Sequence, residues 1–463
     1  MDASDSISAP PGAVDQRLPA GRTALLGFQH VLVMYSACIV VPLILGAALK
    51  LPREHLILII NADLFAAGLA SLVQALGFWK FGIRMPVMMG VTFTAVTPMI
   101  VIGSNPSLGL PGIYGAIIAS GVFGIFFAPL MGRFLRFFPP VVTGSVLLVI
   151  GISLMKVGID WAAGGQPLLP DGSVNPGYGR PLYLAISLGV LLLILLLTRF
   201  ATGFVANIAV LLGVLCGFAA ASLAGEVRLG ELAATPWFGM IRPFAFGMPV
   251  FDPVAIVSMC LVMLVTLVES TGMFLALGQI VGTPTTPERL VRGLRADGLG
   301  AVLGGVFNAF PYTSFSQNIG LVTLTGVKTR FVCAAGGLIL VGLGLFPKMG
   351  YIVAATPAFV LGAAALVMFG MVAMMGIRIL STVDYEQQRG NALLVAISIG
   401  VGVIPLLSPG FFAQLPAWTR VVTDSGIILT TLTAMALNLL FNGMGTRQQA
   451  QAAAARGAAM ADA

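Results

Sequence analysis

Two polar side chains stand out in an otherwise apolar sequence of 463 residues, and both are suited to hydrogen bonding a ligand. Glu269 lies midway along the apolar stretch 261–273, and Gln317 lies in the stretch 310–326 beside Ser316 and Asn318. Hydrocarbon satisfies neither a carboxylate nor an amide, so these groups must face protein, water or a bound molecule. The pattern therefore predicts a polar ligand site inside an apolar protein.

The composition indicates a protein that crosses a lipid bilayer many times. Hydrophobic residues make up 58% of the chain and charged residues 9%, and its mean hydropathy is +1.01. Soluble proteins have about a quarter of their residues charged. The net charge of +7 comes from basic residues scattered at the ends of apolar runs, which indicates membrane topology and not a nucleic-acid partner.

The apolar runs predict an all-α polytopic membrane protein with fourteen segments, since each run approaches the roughly 20 residues that cross hydrocarbon. The predicted segments are 24–48, 55–78, 85–103, 112–131, 139–158, 181–199, 203–224, 253–279, 294–309, 313–327, 329–347, 357–380, 391–407 and 424–442. Sixteen of the 24 Lys and Arg residues then fall on the side that holds both termini. Both termini are therefore predicted to be cytoplasmic.

A repeated Pro and Gly spacing suggests two inverted halves of seven segments each. Pro139 and Gly144 open the fifth segment, and Pro357 and Gly362 open the twelfth with the same spacing. An odd number of segments per half makes the two copies cross the membrane in opposite senses. The alternative is coincidence, because Pro and Gly are common in transmembrane helices.

The third and tenth segments are predicted to be broken in a strand-like way near the middle of the membrane. Each is short, contains Pro and Gly, and is rich in β-branched and aromatic residues, over 85–98 and 310–326. Paired broken segments in corresponding places of two halves indicate a ligand site between them. Helix N-termini directed at that site would favour negative charge there.

Other polar or aromatic residues in the segments admit two interpretations each. Glu269 is either a ligand group or a structural hydrogen-bonding group between helices. Asp297 takes part in proton coupling or is an acid at a helix start, and burial would suit either Asp297 or Glu269 to carry the proton. His30 supports the site through a hydrogen bond or is a packing residue, and Phe93 stacks on a flat ligand or belongs to the core.

The stretch Gln317–Gly326 resembles the signature of the nucleobase-ascorbate (nucleobase-cation symporter 2) transporters. The first-segment pair Gln29 and His30, the Glu-Ser-Thr-Gly element at Glu269 and the acid Asp297 agree with this family. The resemblance implies a core domain moving against a gate domain, and a homodimer. The predicted divisions are a disordered tail 1–22, core 23–131, gate 132–240, core 250–347, gate 348–443 and a tail 444–463.

The resemblance also implies roles for particular residues. Glu269 and Gln317 would hydrogen-bond the edge of a base, and Phe93 would stack on its ring. The remaining implied positions are backbone amides near Ser316 and Thr94, a specificity residue at Asn318, and supporting or proton-linked groups at His30 and Asp297.

Two positions bear on the choice of substrate within that family. Xanthine-selective relatives often carry Asp four residues after the Glu that corresponds to Glu269, and this chain has Met273 there. Thr92 before the stacking aromatic is similar to the bacterial uric acid permeases. Because urate is largely a monoanion near neutral pH, a second acid beside Glu269 would repel it, and Met273 removes that repulsion.

The sequence thus predicts proton-coupled uptake of a purine, with urate as the preferred substrate, across a bacterial inner membrane, and a xanthine-preferring or broader nucleobase symporter is the alternative. A distant alternative is an anion exchanger of the related sulfate-type fold, against which Glu269 argues. A membrane enzyme using Glu269 and Asp297 is a further alternative, but no metal cluster, cofactor motif or nucleophile–base pair accompanies these acids.

Overall fold

The computed structural model describes residues 12–168, 172–386, 388–416 and 419–443, and these residues are mostly helical. Strand β1 (Met89–Val91) lies in the first half of the chain, and strand β2 (Tyr312–Ser314) in the second. Short 3-10 helices cover Ala13–Asp15, Phe93–Ala95, Ala128–Leu130 and Leu135–Phe137. The predicted C-terminal tail, 444–463, lies outside the described residues.

The helices are numbered along the chain. Those of the first half are α1 (Ala20–Ala48), α2 (Arg53–Leu76), α3 (Val96–Gly103), α4 (Gly109–Phe127), α5 (Met131–Phe134), α6 (Pro140–Ala162), α7 (Pro181–Phe200), α8 (Phe204–Asn207) and α9 (Ala209–Leu223). Those of the second half are α10 (Pro253–Val281), α11 (Pro287–Val306), α12 (Ser316–Thr325), α13 (Arg330–Gly344), α14 (Pro347–Ala354), α15 (Ala358–Leu380), α16 (Gly390–Leu407), α17 (Arg420–Thr423) and α18 (Gly426–Asn442).

Local sequence explains several helix starts. Proline occupies the first helical position of α6, α7, α10, α11 and α14, where its missing N–H costs nothing. Asp252 and Thr286 cap α10 and α11 by accepting a hydrogen bond from a backbone N–H of the first turn. Thr329 and Ser425 do the same for α13 and α18.

Eight of the described helices are long and apolar enough to cross a membrane, and the bent pair α13 and α14, which meet at 80°, makes up to nine. Three shorter apolar helical stretches add to these: Phe93–Gly103, Ala209–Leu223 and Gly426–Asn442. The predicted ninth segment corresponds to α11, whose first three turns carry charged residues, and the tenth to the ten-residue α12. The count of fourteen segments stays a prediction.

The third and tenth segments are broken as predicted, and their strands pair with each other. β1 and β2 run antiparallel, with Met89 opposite Ser314 and Val91 opposite Tyr312. The pairing continues beyond both ends, because Thr92 N–H donates to Pro311 C=O at 3.1 Å and Phe315 N–H donates to Met88 C=O at 3.0 Å. This two-stranded sheet satisfies backbone groups that would otherwise be unpaired inside the membrane.

Glycines let three helix pairs approach closely. Gly68 of α2 packs on Gly337 of α13, and Gly121 of α4 packs on Gly298 of α11. α6 and α15, each 23 residues long, pack through glycines at several levels. Small residues at such contacts are the usual means of bringing transmembrane helices together. The matching of the first two pairs agrees with the predicted inverted repeat, which stays a prediction.

The helices form two packing groups. One group contains α1 to α4 and α10 to α13, together with both strands. The other contains α6, α7, α9, α15, α16 and α18. Contacts between the groups run from α1 to α9 and α15 and from α10 to α18, and the short helix α17 contacts α18 on one side and α3 and α10 on the other.

The segment before α1 differs from the predicted disordered tail 1–22, of which residues 1–11 lie outside the described residues. The Val14 side chain is buried, and Arg330 Nε donates to Asp15 Oδ1 at 2.7 Å. Thr329 Oγ1 donates to the Gln16 carbonyl at 2.6 Å. Residues 12–19 therefore pack against the start of α13, because one apolar side chain and one carboxylate find partners there.

Candidate functional site

Two helices start at the ends of the two-stranded sheet with their N-termini free of side-chain caps. The 3-10 turn Phe93–Ala95 follows β1 and leads into α3, and α12 follows β2. Neither Thr92 nor Phe315, the residues before these helix starts, makes a side-chain capping bond. Because the strands are antiparallel, the two starts lie at opposite ends of the sheet. Free backbone N–H groups and the helix dipole make both starts attractive to a negatively charged or hydrogen-bond-accepting ligand.

Glu269 is positioned by α10, which contacts both helix starts and β2. The next residue, Ser270, ties this turn of α10 to the sheet, since its hydroxyl lies 3.0 Å from that of Thr313. Among the described residues, the Glu269 Oε2 atom is buried without a hydrogen-bond partner. An unpartnered buried carboxylate oxygen is costly, so this atom is the clearest candidate to accept a hydrogen bond from a ligand.

Gln317 lies in the first turn of α12, and its side chain is exposed. Its Oε1 atom accepts a hydrogen bond from Ser316 Oγ at 3.1 Å. The amide nitrogen makes no hydrogen bond to the described residues, so both of its protons are available to a ligand. The structure therefore gives Gln317 an oriented side chain with a free donor.

Phe93 and Thr94 lie where the two packing groups meet. The half-buried Phe93 ring stands edge-on to Phe369 of α15, with ring centroids 5.6 Å apart and an interplanar angle of 89°. Thr94 lines a small crevice together with residues of α10 and α18, including Val265 and Ile428. Thr92 is buried, and its hydroxyl has no partner among the described residues.

Asn318 turns away from Gln317 and bonds to α1. Its amide nitrogen donates to the His30 backbone carbonyl at 2.9 Å and lies 2.9 Å from His30 Nδ1. A carbonyl oxygen accepts but never donates, so the bond to it fixes which end of the amide faces His30. Nδ1 must then be the acceptor, and the imidazole is neutral with its proton on Nε2. These contacts give both residues a positioning role for the start of α12.

Asp297 belongs to a buried network with Gln74, one of the residues that sequence reasoning missed. Gln74 Nε2 donates to Asp297 Oδ1 at 2.7 Å and to the Gly293 carbonyl at 2.9 Å, and Gln74 Oε1 accepts from Ile83 N–H at 3.0 Å. The second oxygen, Oδ2, is buried without a partner among the described residues. Asp297 lies on α11, which packs directly against α10, the helix that carries Glu269 and Ser270.

The structure thus brings the sequence-predicted residues together in two layers. Glu269, Ser316, Gln317, Phe93 and Thr94 lie on elements that meet at the sheet. A second layer consists of fully buried polar residues, His30, Asn318 and Asp297. The Met273 side chain is buried in the apolar core one turn after Glu269. Sequence reasoning missed Phe369, because an apolar residue in an apolar helix carries no local signal. It also missed Ser270, because the neighbouring Glu269 was the more conspicuous polar residue.

A helical membrane protein whose two broken segments meet beside an unpartnered acid is a transporter by fold and site. The family model Xan_ur_permease, described as "Permease family", matches residues 21–410. The chain therefore belongs to this family, the nucleobase-ascorbate transporters, and is a permease and not an enzyme.

Curated relatives align over nearly the whole chain. The uric acid transporter UacT of Escherichia coli (strain K12) is 51% identical over 96% of this chain and 91% of that protein. The uric acid permease PucJ of Bacillus subtilis (strain 168) is 47% identical over 90% of this chain and 92% of its own. The xanthine permease of the same organism is 44% identical over 91% of this chain and 94% of its own.

Solved structures show the same fold at much lower sequence identity. The transmembrane domain of the cyanobacterial bicarbonate transporter BicA superposes with a TM-score of 0.58 at 16% identity, covering 92% of this chain and 99% of that one. The murine anion transporter Slc26a9, in its inward-facing state, gives a TM-score of 0.66 at 12% identity, covering 92% and 69%. At these identities the likeness concerns the fold alone.

Proposed function

We propose that this permease takes up a purine, preferentially urate, together with protons across the bacterial inner membrane. The observation that carries the proposal is the buried, unpartnered Oε2 of Glu269 beside two uncapped helix starts. The names of the relatives support the substrate class, since they include two uric acid transporters and a xanthine permease.

A purine fits the chemistry of the free groups. Its ring N–H groups donate to the Glu269 carboxylate, and a neighbouring carbonyl accepts from the free amide of Gln317. Backbone N–H groups near Ser316 and Thr94 meet the remaining acceptor atoms, and Phe93 packs on the ring. Mispairing one such buried group costs about 1–3 kcal/mol, which is enough to discriminate between related bases.

Urate is favoured over xanthine by the charges that surround the site. The uncapped helix starts provide positive potential for a monoanion. Met273 stands one turn after Glu269, so no second carboxylate is added on that face of α10. The hydrogen bond that the Gln74 amide donates to Asp297 weakens the repulsion between this acid and a bound anion.

Proton coupling rests on two acids that each keep a buried oxygen without a partner among the described residues, Glu269 Oε2 and Asp297 Oδ2. A proton on either carboxyl relieves the cost of an unpaired buried charge, and its release restores an acceptor. Glu269 and Asp297 lie on helices α10 and α11, which pack against each other, so binding at Glu269 and proton occupancy at Asp297 are expected to be linked.

Transport would proceed by movement of the group that holds the strands, α10 and α12 against the group that holds α6 and α15. The division into two packing groups supports this elevator-like mechanism, as do the sparse contacts between them. A homodimer, with both termini cytoplasmic, completes the proposal.

Uptake of labelled urate into cells expressing Glu269→Gln tests the central claim. The charged hydrogen bond lost is worth about 1.5–3 kcal/mol, so uptake should fall at least about ten-fold. Glu288→Gln, an exposed acid in the first turn of α11, is the matched control and should transport normally. Wild-type uptake by the Glu269 variant would refute the site.

Substrate and coupling are separated by a competition panel of urate, xanthine, uracil and ascorbate at several pH values. Urate should compete best, and a protonophore should abolish uptake while removal of sodium leaves it unchanged. Stronger competition by xanthine would replace urate as the substrate, and loss of uptake on sodium removal alone would exclude proton coupling.

A further inference from the structure

Three arginines cluster where the loop after α2 meets the start of α11, and none of them has an acidic partner among the described residues. Arg84 and Arg289 lie close enough to Arg292 to repel its guanidinium. Arg292 is half-buried, and its Nε and Nη2 atoms are shielded from solvent without a hydrogen-bond partner among the described residues. The ion pairs found in the described part of the chain involve other residues. Three like charges held together, with unmet donors, are stable when an anion lies between them.

The loop that carries Arg84 is held in an unusual conformation. Phe78 and Phe81 pair their backbones at 2.8 and 3.1 Å, so that Trp79 and Lys80 form the tip of a tight turn. Trp79 and Arg84 both have positive φ angles, 43° and 59°, although neither is Gly. Bulky residues rarely adopt this conformation, and such strain is concentrated at functional sites.

Hydrogen bonds fix this loop onto α11 beside the arginines. Gly82 N–H donates to the Arg292 carbonyl at 2.9 Å, and Arg84 N–H donates to the Gln74 carbonyl at 2.9 Å. The Arg84 side chain packs against Gly77 so closely that a Cβ on residue 77 would collide with it. The cluster is therefore a built feature and not a chance meeting of surface side chains.

The tip of the loop shows what kind of anion fits. Phe78 and Trp79 are 50% and 74% exposed, and aromatic residues with large exposed rings are typical of the membrane–water interface. Basic pockets between transmembrane helices at that depth bind lipid headgroup phosphates. The packed N-terminal segment lies on the same membrane face, since Arg330 donates both to Asp15 and to the Leu76 carbonyl at the end of α2.

We propose that Arg84, Arg289 and Arg292 bind the phosphate of an anionic lipid headgroup, with Phe78 and Trp79 in the adjacent interface. The site is independent of the substrate site in its chemistry. It touches the Asp297 network through Gln74, which bonds to Asp297, to Gly293 and, through its backbone carbonyl, to Arg84. A bound headgroup would therefore steady the turn of α11 that carries Asp297.

Lipid binding to the purified full-length protein in detergent tests this proposal without any transport measurement. The probes are dioctanoyl phosphatidylglycerol, dioctanoyl phosphatidylcholine and inorganic phosphate. Their binding is measured by native mass spectrometry and by the change in the midpoint of thermal unfolding. Phosphatidylglycerol should bind more tightly than phosphatidylcholine, and Arg292→Gln should weaken it about ten-fold. Raised salt should weaken the binding of phosphatidylglycerol to the wild type.

Arg133→Gln is the matched control, an exposed arginine that the sequence places on the same face. It should bind phosphatidylglycerol like the wild type. Arg292→Lys keeps the positive charge but loses the planar guanidinium, so it should bind phosphatidylglycerol with intermediate affinity. Such partial recovery would show that Arg292→Gln weakens the lipid site and does not unfold the protein. Equal binding by wild type and Arg292→Gln would overturn the proposal. Stabilisation by inorganic phosphate alone, without preference for phosphatidylglycerol, would overturn the lipid assignment.

Discussion

At the scale of single residues, the pair Asn318 and His30 shows how a residue in a signature stretch can act from behind the site. Asn318 follows Gln317 directly, but its amide bonds to α1 and not to the sheet. It therefore holds the first turn of α12 in place, and through it the orientation of Gln317. An effect of Asn318 on substrate preference would then arise from positioning.

Asn318→Ala is expected to lower the rate of urate uptake about ten-fold, because two buried acceptors of His30 lose their donor. A double-mutant cycle with His30→Ala measures the coupling, which should be about 1–2 kcal/mol in the free energy of unfolding. Additive effects of the two substitutions would contradict the assigned contact.

Gln74→Leu tests the second buried network, since it keeps most of the volume and removes three hydrogen bonds. Leaving Asp297, Gly293 and Ile83 without this partner should lower the free energy of unfolding by about 3 kcal/mol or more. The midpoint of thermal unfolding in detergent reports the loss. Gln279→Leu, an exposed glutamine near the end of α10, should leave the midpoint unchanged.

Individual residues were predictable where their chemistry conflicted with their surroundings. Glu269 and Gln317 were visible because a carboxylate and an amide have no place in hydrocarbon. Gln74 was equally polar, but nothing in the sequence gave its partner Asp297, which lies 223 residues later in the chain. Phe369 was invisible, since its meeting with Phe93 depends on how two helix groups pack.

At the scale of elements, the two broken segments depend on one close approach. A Cβ on Gly90 would collide with the Phe315 ring, which packs across the sheet. The strand β1 therefore needs glycine at its centre for a steric reason. Because Phe315 directly precedes the start of α12, displacing its ring would also displace that helix start.

Gly90→Ala is expected to abolish most urate uptake by pushing Phe315 and the α12 start out of position. Phe315→Leu in the same chain should restore part of the uptake, since the smaller side chain makes room for the new methyl group. Gly342→Ala in α13, where a Cβ meets nothing within 4 Å, is the control and should be silent. Normal uptake by Gly90→Ala would show that the sheet tolerates displacement.

The broken character of both segments was predictable from Pro, Gly and β-branched residues, but their pairing was not. Hydrogen bonding between β1 and β2 joins residues from opposite halves of the chain, and no periodicity within either stretch encodes it. Helix starts at Pro140 and Ala358 fell within one residue of expectation, since the prolines before them end the preceding segment.

At the scale of the whole molecule, the separation into two packing groups makes the boundary between them the place where movement is expected. Thr94 of one group and Ile428 of the other line the same crevice. Fastening these two positions would hold the groups in one arrangement.

The double variant Thr94→Cys/Ile428→Cys, treated with a bifunctional thiol reagent in a chain cleared of its four native cysteines, should lose urate uptake and regain it on reduction. Asn391→Cys/Asn442→Cys, which joins α16 and α18 within one group, is the control, because the two amides already meet at 2.7 Å. Uptake that survives the first cross-link would exclude relative movement at this crevice.

The membrane class of the molecule followed from composition, while the organisation into two groups required the family resemblance and then the packing. Apolar runs alone place α7 and α15 in the same category, although α7 is largely exposed and α15 is mostly buried. What separates them is the set of neighbours each helix finds, which the sequence of one helix does not record.

The sheet also has a consequence for how the protein is made. Strand β1 is synthesised about 220 residues before its partner β2. At 5–20 residues per second, its backbone waits roughly 10–45 s for those hydrogen bonds. During that interval the first half lies in the membrane with an open strand edge, a state that is costly there. Ser71 covers only the opposite edge of β1, since its hydroxyl accepts from Met89 N–H at 2.8 Å while the Met88 carbonyl and Thr92 N–H are the groups that bond to the second strand. The nascent first half is therefore the stage at which the chain most needs the help of the insertion machinery.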